Sequence, residues 1–229
     1  MSEPAATVRI AARALARAGL VHAYGHCSAR IDAARFLVCP AMPMGLVAPG
    51  AACVEVAVTG ALPAGVLGEV RLHQQIYASR PAAAGVVRFM GPQVMALAAL
   101  GRVPQLRHGF ATYFAPRVGF WNDIQLIRDD AKAHGVVAAM GESAAVLMRG
   151  NGAVTAADSL QAAVVLAWYL EDACRVELAA LASGLADAPT IAPEAAAERA
   201  TRAGLIFERM WDYLTAGDAE RPVEPERSC

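Results

Sequence analysis

Lysine is almost missing from this chain: Lys132 is the only one among 20 basic residues, set against 21 acidic ones for a net charge of −1. No basic stripe exists, which argues against nucleic acid as a partner. The five cysteines, Cys27, Cys39, Cys53, Cys174 and Cys229, are scattered, odd in number and free of any C-x-x-C spacing. That excludes a zinc ribbon and fits a reducing compartment. No basic–apolar–small leader opens the chain, and Arg13 and Arg17 fall at helical spacing. Apolar runs break at Gly, Pro or charge before the roughly 18 residues a spanning helix needs. A soluble cytoplasmic protein without a membrane partner is the expectation. What is abundant is apolar side chain, 56 % against 18 % charged, enough for a large core. The Arg- and Ala-rich composition reads as coding bias.

Periodicity divides the chain into short elements without repeat or linker. Val8, Ile10, Ala11, Ala14, Leu15 and Ala18 predict a helix over residues 5–18, stopped by Gly19. Strands are expected at Ser28–Ile31, Arg35–Cys39, Ala52–Val58, Gly85–Met90, Ala144–Arg149 and Ala153–Thr155, the last two joined by a Gly150-Asn151-Gly152 turn. Pro40 to Pro49 reads as a loop. Helices are expected at Glu69–Ala78, ended by Arg80-Pro81, and at Pro92–Leu100, Leu126–Met140 and Leu160–Leu181. Residues 102–125 read as irregular, and one amphipathic helix is expected near 194–214. A single three-layer α/β/α domain is the simplest packing.

Five segments, in this order over roughly residues 8–182, carry a family resemblance. They are Gly25-His26-Cys27-Ser28-Ala29-Arg30, Phe36-Leu37-Val38-Cys39-Pro40, Glu69 with His73 and Tyr77 before Arg80-Pro81, Leu147 to Val154, and Glu171 in the long helix. Together they resemble the class II aldolase/adducin family. The resemblance implies a central, mostly antiparallel sheet flanked by helices, as in fuculose-phosphate aldolase, and a domain over residues 1–184. It also implies a homo-oligomer, commonly a tetramer, with active sites between subunits. Residues 185–229 are expected to pack a C-terminal helix and polar tail on the same domain or on a neighbouring subunit.

Metal-dependent members of that family hold a divalent ion with three histidines, and a glutamate moves protons. Here the histidine positions fall on Arg88, Met90 and Asn151, while the glutamate is present as Glu69. A thioether is a poor ligand for a hard ion, a guanidinium stays charged and an amide is weak, so no metal and no cofactor are expected. The functional reading of Arg88 is a fixed cation that grips a carboxylate or oxyanion, paired with Glu69 in the empty site. The plain alternative is a structural arginine.

His108 falls near the position of a catalytic tyrosine in the sugar-phosphate aldolases, and general acid/base work is the reading set beside a structural one. His73 reads as structural, and His22 and His134 carry no signal. The family's phosphate donors are replaced by His26, Ala41-Met42 and Leu67-Gly68, which turns expectation away from a phosphorylated sugar. Met42, Met90 and Tyr113 are candidate lining for an apolar or aromatic substrate, and Arg149 and His26 are candidate polar contacts. Plain core packing is the competing reading for the methionines and aromatics.

Two functions from different classes follow. One is a metal-independent lyase (decarboxylase, retro-aldolase or dehydratase) on an unphosphorylated carboxylated or aromatic small molecule. Glu69, His108, Arg88 and Asn151 would act in it, and His26, Arg149, Met90, Met42 and Tyr113 would contact the substrate. The other is an inactive binding or assembly module like the adducin head. A conventional metal-dependent aldolase with a relocated metal site is the third possibility.

Overall fold

The computed structural model describes residues 3–221. The chain runs α1 (Glu3–Arg17), β1 (His26–Arg30), β2 (Arg35–Val38), β3 (Val54–Ala57), α2 (Arg71–Ser79), β4 (Gly85–Phe89) and α3 (Pro92–Ala99). It continues through β5 (Gly119–Trp121), α4 (Asp130–Met140), β6 (Ala145–Met148), β7 (Gly152–Ala157), α5 (Leu160–Ala182), α6 (Pro193–Arg199) and α7 (Ile206–Thr215). Seven strands form one sheet in the order β3-β2-β1-β4-β7-β6-β5. Every pairing is antiparallel except the parallel β5–β6 edge. The α/β fold is as the sequence pattern predicts, and the mostly antiparallel sheet is as the family resemblance implies.

Side-chain alternation sorts β1 between two layers. Cys27 faces α1, its thiol 3.6 Å from the Val8 carbonyl, while Ser28 faces α2 and bonds His73 and Tyr77. Strand β4, buried at all five positions, is the central strand between β1 and β7. Its first residue must be glycine for a packing reason: a Cβ on Gly85 would lie 2.3 Å from the Leu160 Cα at the start of α5. Gly85→Ala is therefore expected to push α5 off the sheet and to cost about 1–3 kcal/mol, as overpacking does. A chemical-denaturation midpoint unchanged from wild type would show that this contact relaxes freely.

Helix α5 starts on a Ser159 cap whose side chain accepts the Ala162 amide at 3.1 Å. Glu171 within α5 accepts the amides of Gln93 and Val94 at 2.8 and 3.0 Å, so the acid of the long helix caps α3. Burial pushes its carboxyl up against these two bonds. Among the described residues, no helix is long and apolar enough to cross a membrane.

Three departures from expectation have local causes. Residues 119–121, within the segment read as irregular, form the edge strand β5; so short a strand cannot show a period of two. Helix α4 begins at Asp130 rather than Leu126, because the Asp129 side chain accepts the Lys132 amide at 2.8 Å and stops the helix there. The helix expected over 194–214 is two helices, separated where Gly204 and Leu205 both take left-handed backbone angles (φ 72° and 56°). Hydrophobic spacing does not encode that break. Beyond α7, Asp218 and Glu220 return to Arg9, Arg13 and Arg17, which stand four apart on one face of α1.

Candidate active site

Strand register brings the first two functional side chains together. His26 on β1 is directly opposite Arg88 on β4, and cross-strand partners share a face. The single helical turn Gly68–Val70, just before α2, brings Glu69 to the same place. These residues line a cavity of about 330 Å³, at the small end for a ligand site. Met42 from the loop after β2, Tyr24, and Arg128 from the segment before α4 complete the wall.

Glu69 is the electrostatic hub. Its Oε2 lies 3.4 Å from an Arg88 guanidinium nitrogen and 3.8 Å from His26 Nε2. The Glu69 carboxyl lies below its ordinary range: the proton-bearing form of the His26 edge lowers it most, burial opposes this, and Arg88 and Arg128 add to the lowering. Glu69 is therefore an anion at neutral pH. Burial depresses His26, an effect that Glu69 offsets and Arg88 reinforces. At 3.8 Å the His26–Glu69 pair is an electrostatic contact and not a hydrogen bond. His26 Nε2 is buried and has no hydrogen-bond partner.

Behind His26 runs a buried polar chain. His26 Nδ1 is 2.7 Å from His73 Nε2, His73 Nδ1 is 2.6 Å from Ser28 Oγ, and Ser28 Oγ is 2.8 Å from the Tyr77 hydroxyl. Tyr77 also donates to the Ser28 carbonyl at 3.0 Å. His26, Ser28, His73 and Tyr77 are each 0–1 % exposed. Burial holds His73 well below the ordinary histidine range, with His26 and Arg88 acting the same way. Glu69, Arg88, His26 and Met42, foreseen from the sequence, thus meet in one cavity.

The other foreseen residues lie elsewhere within the chain. Met90 directly follows β4, and Asn151 precedes β7, where Gly152 turns at φ 76°. A Cβ on Gly152 would meet the Phe89 carbonyl at 2.1 Å, so only glycine lets this turn lie against β4. The Asn151 amide donates to the Ile124 and Gln125 carbonyls at 3.0 and 3.2 Å, so it braces the segment before Arg128. Arg149 is exposed and bonds Asn122 at 2.9 Å. His108 is held by Asp172 of α5 at 2.8 Å, and the Tyr113 hydroxyl donates to the Thr201 carbonyl at 2.6 Å. Neither His108 nor Tyr113 lines the cavity.

The donor set at the implied metal positions does not fit a divalent ion. Arg88 puts a buried fixed cation there, Met90 offers a thioether, and Asn151 offers only a neutral amide oxygen, its Nδ2 turned to two carbonyls. Among the described residues, no three His, Cys, Asp or Glu side chains converge as ligands.

Two features escape sequence reading. Arg128, in an Arg-Asp-Asp run before a helix, has no motif that marks it. His73, Ser28 and Tyr77 are visible as motif residues, but only strand alternation and the α2 docking show that they touch.

Comparison with known proteins gives this geometry its context. The chain is 34 % identical over 205 residues to a 3,4-dihydroxyphthalate decarboxylase of Terrabacter sp. (strain DBF63), covering 82 % of this chain and 85 % of that protein. An aldolase II superfamily protein from Pseudomonas syringae superposes with a TM-score of 0.75 at 25 % identity, over 93 % of this chain and 92 % of that one. L-fuculose-1-phosphate aldolase from Thermus thermophilus superposes with a TM-score of 0.69 at 24 % identity, over 82 % and 98 %, and this likeness concerns the fold. Residues 6–178 match the Class II Aldolase and Adducin N-terminal domain family; with the cavity between β1, β4 and the turn before α2, the chain belongs to that family.

Proposed function

We propose that the protein is a metal-independent decarboxylase of an unphosphorylated aromatic carboxylate, of the dihydroxyphthalate type. The observation that carries this reading is the buried Arg88 guanidinium facing the cavity beside Glu69. A second arginine, Arg128, stands at the wall. Two guanidinium forks suit a ring with two carboxylates. The similarity to a decarboxylase whose substrate is such a dicarboxylate supports the choice of substrate class. Tyr24, Met42 and Leu67 at the mouth, 65, 40 and 43 % exposed, supply apolar surface for the ring.

The chemistry needs a base, an acid and a fixed cation. A base takes the proton of a ring hydroxyl ortho or para to the leaving carboxylate, which pushes electron density onto the carbon bearing it. That carbon accepts a proton, the carbon–carbon bond breaks, its electron pair restores the aromatic ring, and CO₂ departs. The hydroxyl then regains its proton, so one proton is consumed for each CO₂ released. Glu69 and His26 are the proton-handling groups in the cavity, while Arg88 holds the carboxylate and steadies the oxyanion. His108 and Tyr113 enter this reaction only across a boundary with a second copy, the homo-oligomeric arrangement that the family resemblance implies.

Incubation with 3,4-dihydroxyphthalate in D₂O is expected to release CO₂ and to leave one deuterium at the vacated ring carbon. Glu69→Gln should reduce kcat by roughly 10²–10⁴-fold, the usual scale for losing a proton-transfer group. Exhaustive dialysis against a chelator should leave the rate unchanged. Loss of activity on chelation with recovery on adding a divalent ion would overturn the metal-free reading. No CO₂ from this compound or from a panel of hydroxylated aromatic acids would return the protein to the binding-module class.

A further inference from the structure

The chain from Tyr77 to His26 has a direction, and the direction follows from one atom. The Ser28 carbonyl can only accept, and the single Tyr77 hydroxyl hydrogen is assigned to it at 3.0 Å. The Tyr77 oxygen is then an acceptor, and the Ser28 hydroxyl 2.8 Å away donates to it. With its own hydrogen spent, Ser28 Oγ accepts from His73 Nδ1 at 2.6 Å. Burial keeps His73 neutral, so its Nε2 carries no hydrogen and accepts from His26 Nδ1 at 2.7 Å. A neutral His26 with its hydrogen on Nδ1 has a bare lone pair on Nε2.

The cavity side of the site agrees with that conclusion. An Nε2–H facing the Glu69 anion would close to a hydrogen bond of about 2.8 Å. The observed separation is instead 3.8 Å, and Nε2 is buried without a partner. A lone pair and a carboxylate 3.8 Å apart are two acceptors, and both residues line the cavity from which a donor would come. Arg88 and Glu69 are the charged groups that act on His26 from the cavity, and the neutral His73 backs it.

We propose that Tyr77, Ser28 and His73 are positioning residues that lock His26 in its Nδ1–H tautomer, making His26 Nε2 the catalytic base for a substrate hydroxyl that approaches it and Glu69 from the cavity. This role rests on the decarboxylase reading for its reaction, whereas the tautomer belongs to the free protein. In the step itself, the hydroxyl proton moves to Nε2 and the oxygen keeps the bonding pair. The imidazolium that forms is balanced by the Glu69 carboxylate beside it. When the product hydroxyl reprotonates, the proton returns from Nε2; Glu69, an anion at rest, takes up from solvent the one proton consumed per CO₂ and passes it to the ring carbon. Substrates would thus be selected for a hydroxyl near the carboxylate that Arg88 holds; phthalate, which has no hydroxyl, would bind without reacting.

The test is nitrogen-15 NMR of histidine-labelled full-length protein without any ligand, with His26 assigned by comparison with His26→Gln. A neutral His26 with its proton on Nδ1 at pH 7 is expected. A proton on Nε2, or an imidazolium, overturns the proposal whatever the enzyme turns over. Tyr77→Phe removes the acceptor at the head of the chain, so Ser28 turns its hydrogen to His73 Nδ1 and the tautomers of both histidines reverse. A folded Tyr77→Phe protein that keeps the Nδ1–H form overturns the positioning role. In turnover, His26→Gln should lower kcat roughly 10²–10⁴-fold with KM changed only a few-fold; an unchanged kcat overturns the base assignment. Tyr77→Phe should lower kcat with KM held. If wild type shows the Nδ1–H tautomer but releases no CO₂, the decarboxylase reading fails and takes the base assignment with it, while the locked histidine stands.

Discussion

Arg88→Ala is expected to lower kcat/KM for an aromatic dicarboxylate by a few hundred- to a thousand-fold, the largest kinetic loss of any single change at this site outside the proton-transfer groups. The guanidinium is 4 % exposed and 3.4 Å from Glu69 Oε2, so its charge acts in a poorly solvated setting. Truncating one member of a buried charge pair costs about 2–5 kcal/mol, and each 1.36 kcal/mol is about tenfold in rate. Two effects add: the substrate carboxylate loses its fork, and Glu69 loses a cation that keeps it ionised. Arg88→Lys restores the charge without the planar fork and should recover only part of the loss. Steady-state kinetics, with circular dichroism to establish the fold, decides this. A change below threefold in Arg88→Ala would mean that the anion is held elsewhere, with Arg128 the next residue to examine.

Glu220→Ala is expected to destabilise the protein by about 3–5 kcal/mol at pH 7, the scale for leaving a buried charge without its partner. At about 2–4 °C per kcal/mol for a chain of this size, the melting temperature should fall by roughly 10 °C. Glu220 receives Arg9 Nε at 2.9 Å and Arg13 at 2.9 Å, and its side chain is 9 % exposed. Asp218 alongside accepts from Arg13 at 2.6 Å and Arg17 at 3.0 Å. The Arg9 bond holds the Glu220 carboxyl at about 2 against burial, with Arg13 assisting. Burial pushes Asp218 up, but hydrogen bonds from Arg13, the Glu220 amide and Arg17 bring it to about 2.

Both groups bind protons more weakly folded than unfolded, so their contribution is complete above pH 4.5 and is lost as pH falls toward 2. Denaturation curves at pH 7 and pH 3 should show a large drop for wild type and a smaller one for Glu220→Gln. Equal slopes would mean that this cluster does not govern acid stability.

How much of the site can be read in advance depends on the range of the signal. Glu69, Arg88 and His26 stand inside recognisable segments, and Arg88, Met90 and Asn151, at the metal positions that the family resemblance implies, argue against a hard-ion site and toward a fixed cation. The Gly150-Asn151-Gly152 turn is equally legible, since only glycine tolerates φ 76° against the neighbouring strand. His108 draws attention by its position in the chain, whereas its partner is Asp172, 64 residues away on α5. Arg128 draws none, because no local pattern separates a cavity arginine from a solvated one. His73 reads as structural, yet it is the link that sets the tautomer of His26.

Periodicity by itself determined an α/β domain, and the resemblance of its motif segments to the class II aldolase/adducin family marked the residues of an altered aldolase site, lacking the hard-ion donors. Those properties are local, because side-chain chemistry and periodicity are written in neighbouring residues. Only the tertiary structure decided that His26 faces Arg88 across β1 and β4, that Nε2 is left unpaired, and that Tyr77 gives the buried chain its direction. Strand register and helix docking are set by the whole core at once, and hydrogen-bond direction depends on atoms up to 49 residues apart.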